Sequence, residues 1–216
     1  MNSNTAKTLL SLLVIAGCGA LALYLIRGPG PEFDPAPHRA IGQALADQAL
    51  AFGASGKIVL LARDVSMIPN PASTEEVKAV SEALRRKGHP LTQTNLSKVD
   101  PLRVLRYPPG DYAELLRKLT DNDIVISLLG PPEFTDAQVM RVGDKRPRIV
   151  ALCTGTMPEQ LNLKKLFDDQ FLHAAIVSRG ELTSGYAVAA TMDKSFEALY
   201  AVIGTNNLAA LKTYAK

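Results

Sequence analysis

Leu9 to Ile26 (LLSLLVIAGCGALALYLI) is a run of 18 residues without a charge, and no other stretch constrains the chain as strongly. At about 1.5 Å of rise per residue, a helix of that length just crosses a hydrocarbon core of roughly 30 Å. An N-terminal transmembrane helix within residues 1–27 is therefore expected. The amino terminus and Lys7 precede the run as a short positive region, which reads as a signal-like start.

Two kinds of tether fit this start. Ile15-Ala16-Gly17-Cys18 resembles a bacterial lipobox, which makes Cys18 a candidate lipidation site. Gly19 to Ile26 nevertheless stays apolar, which favours an uncleaved signal anchor. The short positive region places the terminus in the cytoplasm and the rest of the chain outside it, in the periplasm. Arg27 and Arg39 on the far side weigh against that orientation.

Residues 28–37 (GPGPEFDPAP) cannot continue a helix or a strand, because their prolines fix φ and remove backbone donors. They form a stiff spacer. Residues 38–216 then read as one extracytoplasmic domain. His38 to Phe52 carries Ile41, Leu45, Ala49 and Phe52 at helical spacing. Lys57 to Ala62 is a short apolar run of the kind buried on both faces of a parallel sheet. Ser73 and Glu76 have the spacing of a capping box, and Gly88 ends the helix they would open. One strand is expected within His89 to Val99 or Leu102 to Tyr107, followed by a helix capped by Asp111 and Glu114 with Leu115, Leu116 and Leu119 inward.

The second half repeats the alternation. Asp123 to Leu129, Arg148 to Cys153 and Ala174 to Ser178 read as strands. Thr135 with Gln138 caps a helix that Gly143 ends, and Leu161 to Phe167 reads as another. Tyr186 to Met192 and Phe196 to Ile203 alternate with period two, either as further strands or as a hairpin about Asp193-Lys194 that gives the sheet a mixed edge. A helix capped by Thr205 or Asn206 would run to Tyr214. Strands separated by helices imply right-handed βαβ units. The expected fold is α/β: a single doubly wound, mostly parallel sheet, Rossmann-like or flavodoxin-like, behind an N-terminal transmembrane helix.

Several functions are excluded or disfavoured. A net charge of +3 is too small to imply a nucleic-acid partner, and Arg85-Arg86-Lys87 reads as cations at a helix C-terminus. The chain has no GxGxxG, Walker A, HExxH or GxSxG sequence, so no cofactor and no catalytic residue are expected. His38, His89 and His173 are too scattered for a metal site. Cys153 closes an apolar strand and is expected to be a buried, inert thiol.

In an open α/β sheet, ligands bind beyond the carboxyl ends of the strands. Those ends are Arg63-Asp64-Val65-Ser66, Gly130-Pro131-Pro132-Glu133, Thr154-Gly155-Thr156 and Ser178-Arg179-Gly180. The candidate ligand-binding residues are thus Asp64, Ser66, Gly130, Thr154, Gly155, Thr156, Ser178 and Arg179. Their hydroxyls, carboxylate, guanidinium and exposed amides suit a polyol or small acid. Asp64 and Arg179 are expected on one rim, facing one crevice.

The succession GKIVLLARD, a helix ending RRKG, DIVISLLG, RIVALCTGT and AAIVSRG resembles one lobe of type 1 periplasmic sugar-binding proteins, and FEALYAVIGTNNLAAL resembles their closing strand and helix. Those proteins close two lobes on a ligand, whereas this chain has length for one. Two functions follow. One is a tethered module that binds a small polar solute and presents it to a membrane protein partner, and the other is a non-catalytic accessory or scaffolding subunit of a membrane complex. A strand-end crevice lined by Asp64, Thr154 and Arg179 would favour the first.

Overall fold

The computed structural model describes residues 13–23, 33–98, 106–181 and 194–212, and the chain divides between Asp34 and Pro35 into two units. In the first unit, residues 13–23 form a helix, α1, with Leu13, Val14, Ile15, Leu21 and Leu23 exposed. The rest of the Leu9–Ile26 run lies outside the described residues. Among the described residues no helix is long and apolar enough to cross a membrane.

The second unit begins with α2 (Ala36–Ala51), then β1 (Ile58–Arg63), α3 (Pro71–Arg86), β2 (Gln93–Ser97), α4 (Pro109–Arg117) and β3 (Ile124–Ser127). It continues with α5 (Asp136–Val142), β4 (Arg148–Cys153), α6 (Met157–Gln160), α7 (Leu163–Asp168), β5 (Ala174–Ser178), α8 (Lys194–Leu199) and β6 (Tyr200–Gly204). The six strands form one sheet in the order β2-β1-β3-β4-β5-β6. The first five are parallel, and β6 pairs antiparallel with β5. This is the doubly wound topology the alternation implies, with a mixed edge.

Residue chemistry sorts the strands. The four central ones are almost wholly apolar, because both of their faces are covered. Val59, Leu61, Val125, Ala151 and Ala175 point to one face, packed against Tyr112, Leu116 and Phe167 from α4 and α7. Leu60, Ile126, Val150 and Ile176 point to the other, beneath α2, α3 and Phe196 of α8. The α2–α3 crossing is close enough that a Cβ on Gly42 would stand 2.6 Å from Ala79 Cβ. Asp123 ties the amino ends of the strands, accepting Lys57 N–H at 2.6 Å and Thr120 N–H at 2.7 Å.

Several local expectations are corrected. Helix α3 starts at Pro71, where Asn70 accepts Ser73 N–H at 2.9 Å; Pro71 suits the first helical position, so the cap falls three residues before Ser73. Glu76 is then free to turn inward to His38 instead of closing a box. In α4 the N-cap is Pro108, which has no side-chain donor or acceptor to offer, and Asp111 lies within the first turn. The period-two reading of Phe196 to Ile203 holds only from Tyr200, because Lys194–Leu199 is helical. Its Phe196 is buried, with the ring centroid 5.7 Å from that of Tyr200. After β6 the described chain forms a short 3-10 turn, Leu208–Ala210, without a side-chain cap. Most of Leu102 to Tyr107, all of Tyr186 to Met192, the Asp193 turn and the end at Tyr214 lie outside the described residues.

Helix α2 starts at Ala36, inside the expected spacer, and α7 starts at Leu163 and not at Leu161, whereas two other signals are found where they were read. Thr135 and Gln138 form the capping box. Gly88 and Gly143, with φ of +81° and +73°, end α3 and α5 in a backbone region that glycine adopts without strain.

Candidate functional site

Parallel pairing brings the carboxyl ends of five strands to one edge. The register sets Arg63 beside Ser97, Ser127 beside both Leu61 and Ala151, and Cys153 beside Val177. The loops that follow therefore open on a common rim. The strand order reverses between β1 and β3, which is where such sheets leave a crevice.

Each candidate residue has a definite place on that rim. Asp64 is half-buried; its N–H donates to the Ser97 carbonyl at 2.8 Å, and its Oδ1 accepts Ser66 N–H at 2.9 Å. Bonds from the Ser66 side chain and backbone hold the Asp64 carboxyl below its ordinary value, so it stays ionised. Gly130, at φ +81°, is buried in the turn after β3, and its carbonyl accepts the Ser127 hydroxyl at 2.5 Å. A Cβ there would run into the Met157 side chain. Thr154 is half-buried, while Gly155 and Thr156 are exposed. Ser178 ends β5 opposite Tyr200. Arg179 donates its Nε to the Glu197 carbonyl of α8.

The structure brings some of these together and keeps others apart. Gly130 and the Thr154–Thr156 loop follow adjacent strands, and Met157 touches the Gly130 turn. Asp64 and Arg179 share the rim but follow β1 and β5, three strand spacings apart, or roughly 14 Å. One monosaccharide does not span that gap.

A charged cluster on the rim supplies side chains that strand-end reasoning left out. Arg106 donates Nη1 to Glu133 and Nη2 to Gln160 Oε1 at 2.7 Å, and Gln160 Nε2 donates to Thr156 Oγ1 at 3.2 Å. Glu133 belongs to a strand end already singled out, but Arg106 and Gln160 do not. The usable signal was local: Arg106 stands just before the Pro108-Pro109-Gly110 turn that opens α4. The Arg106 Nε is buried without a partner. With its charge balanced by Glu133, the cluster offers donors and acceptors side by side at little net charge, which suits hydroxyl groups better than an ion. Below it, Tyr112 is fully buried with its hydroxyl unpartnered. Among the described residues no three His, Cys, Asp or Glu side chains gather as metal ligands.

No protein-family model matches the chain, and no curated protein does. Solved structures do match. A carbohydrate transporter solute-binding protein from Agrobacterium radiobacter, in complex with D-arabinose, aligns at a TM-score of 0.53 and 10% identity over 81% of this chain. The domain shares the fold of these binding proteins. A second, the ABC transporter solute-binding protein from Burkholderia graminis, also in complex with D-arabinose, aligns at a TM-score of 0.52 and 13% identity over 82% of this chain. The chain covers 63% and 62% of those two solute-binding proteins, less than two thirds of their length. The likeness to one lobe of the sugar-binding fold, read from the strand and turn succession, therefore stands at the level of fold.

Proposed function

We propose that this chain is a membrane-tethered, extracytoplasmic domain that binds a small polar solute at the carboxyl rim of its sheet and presents it to a membrane partner. The observation that carries the reading is the Arg106, Glu133, Gln160 and Thr156 array, which joins the loops after β3 and β4 on the rim that also bears Asp64, Ser66, Gly130 and Thr154. Neighbours of the same fold were solved with D-arabinose bound, which supports a sugar-like solute. The tether rests on the uncharged Leu9–Ile26 run and on the exposed apolar side chains of α1. Given the spacing of the strands, the solute contacts the β1–β3–β4 part of the rim, and Ser178 and Arg179 flank it.

The accessory-subunit reading has its own support. Gly130, Pro131 and Pro132 are buried, and Arg179 is engaged by α8, so part of the rim is already occupied by the protein itself. Thermal unfolding of the full chain in a zwitterionic detergent, with and without D-arabinose and related sugars, separates the two. Solute binding predicts a rise in Tm that Arg106→Ala and Asp64→Ala diminish. If no sugar stabilises the natural chain, the accessory role replaces it.

A further inference from the structure

A cavity of about 600 Å³ lies between the edge strand β2 and helix α4 and runs from Lys57 to Tyr107, next to Arg106 of the rim. Its origin is a mismatch in coverage. Tyr112, Leu115 and Leu116 of α4 share a buried cluster with Val59, Leu61 and Val125 of β1 and β3, and no residue of β2 belongs to that cluster among the described residues. The parallel register pairs Gln93 with Val59 and Asn95 with Leu61, which turns both carboxamides toward α4. An edge strand packed under its helix would carry apolar side chains there. This one carries amides, with Gln93 Nε2 donating to Asn95 Oδ1 at 2.5 Å.

The facing wall is polar too. Asp111 and Glu114 of α4 and Lys118 just past its end, at three- and four-residue spacing, line the cavity, with Lys57 at one end and Tyr107 at the other. Lys57 and Lys118 balance Asp111 and Glu114. Glu114 is also bonded by Arg117 at 2.8 Å, and Tyr107 is half-buried with its ring 5.6 Å from that of Tyr112. A strongly charged ligand would meet like charges as well as opposite ones in such a lining. An uncharged, hydroxyl-rich ligand can bond to amides, carboxylates and ammonium groups alike, and the Tyr107 ring offers its C–H groups an apolar face. The nine residues of α4 give the groove a length of about 13 Å, which fits a chain of sugar rings better than a single ring.

We infer that the β2–α4 groove is a binding site for a short neutral oligosaccharide, separate from the carboxyl rim and independent of what the rim binds. The test is amide-detected NMR of the full chain in a sugar-free zwitterionic detergent, titrated with maltotriose and with xylotriose. The expected result is movement of the side-chain carboxamide signals of Gln93 and Asn95 by at least one of them. Replacing both residues (Gln93→Ala with Asn95→Ala) should weaken that binding about tenfold or more. If neither sugar moves the two carboxamides, or if the signals that move are those of Asp64, Gly130 and Thr154, the groove is not an oligosaccharide site. Loss of sugar stabilisation at the rim would leave the Gln93 and Asn95 signals unaffected, so the two proposals fail separately.

Discussion

His38 Nδ1 stands 2.8 Å from Glu76 Oε1, a polar bond set in the seam between α2 and α3. Ala40, Ile41, Ala44, Val80 and Ala83 are buried around it. Desolvation pushes the Glu76 carboxyl above its ordinary value, against the pull of His38. The contribution of this carboxyl is therefore fully present below about pH 4.5 and is lost as pH rises through the folded-state value. Glu76→Gln should match the natural chain in acid and gain on it toward neutral pH, since the amide keeps a hydrogen-bonding oxygen without the buried charge. Glu76→Ala should cost about 1 kcal/mol by removing the hydrogen bond to His38. Urea midpoints across pH decide both outcomes.

Gly42 marks the closest approach of the same two helices. An added Cβ would meet Ala79 Cβ at 2.6 Å and the Glu76 carbonyl at 2.7 Å, and neither can yield without moving α3. Gly42→Ala is expected to destabilise the domain by about 1 to 3 kcal/mol, although the change raises helix propensity. An unchanged denaturation midpoint would contradict this packing.

His173 gives the domain an acid-sensitive point. Its Nδ1 accepts Ile149 N–H at 3.1 Å, and burial, assisted by the Arg148 charge, lowers its pKa to about 4. The unfolded chain takes up this proton near pH 6.5, while the folded one resists until about pH 4. Stability should fall as pH drops through that window, by up to about 3 kcal/mol from this group. Guanidinium unfolding at pH 7 and pH 5 should differ less for His173→Gln than for the natural protein. Equal slopes would remove His173 from the account.

Cys153 ends β4 fully buried, and desolvation raises its thiol pKa. The thiolate needed for alkylation is thus both inaccessible and disfavoured. A polar maleimide or iodoacetamide is expected to leave Cys153 unlabelled in the folded chain and to label it in denaturant. Rapid labelling under native conditions would show that β4 opens.

The proposed anchor predicts a mass. Intact mass of protein extracted from membranes should include Met1 to Gly17. A mature chain beginning at a diacylated Cys18 would replace the helix with a lipid tether. Protease added to spheroplasts should digest the domain from outside, and protection until lysis would reverse the proposed orientation.

Local sequence was a good guide wherever adjacent residues carry the whole signal. The runs RIVALC and AAIVS match β4 and β5 residue for residue, because a strand buried on both faces must be apolar throughout and turn residues bound it. The Thr135–Gln138 box and the glycine stops are equally local, since each concerns bonds made within one turn of the chain. Given those elements, right-handed crossovers imply a doubly wound sheet, and with it a shared rim for Asp64, Gly130, Thr154 and Ser178.

Choices between competing partners were decided only by the tertiary structure. Ser73 and Glu76 have the spacing of a cap, yet Asn70 takes that role and Glu76 turns to His38, a residue 38 positions away. Phe196 to Leu199 alternate like a strand, yet they fold as a helix whose Phe196 packs against the sheet. Arg106 joins Glu133 and Gln160 across 27 and 54 residues. Strand order separates Asp64 from Arg179 by two intervening strands. The polar strand QTNLS became a groove wall because α4 packs with the apolar side chains of β1 and β3, a cluster to which no described residue of β2 belongs. Sequence spacing specifies which bonds a segment is able to make, and packing of distant segments selects among them, because burial is shared by residues that are neighbours only in the folded chain.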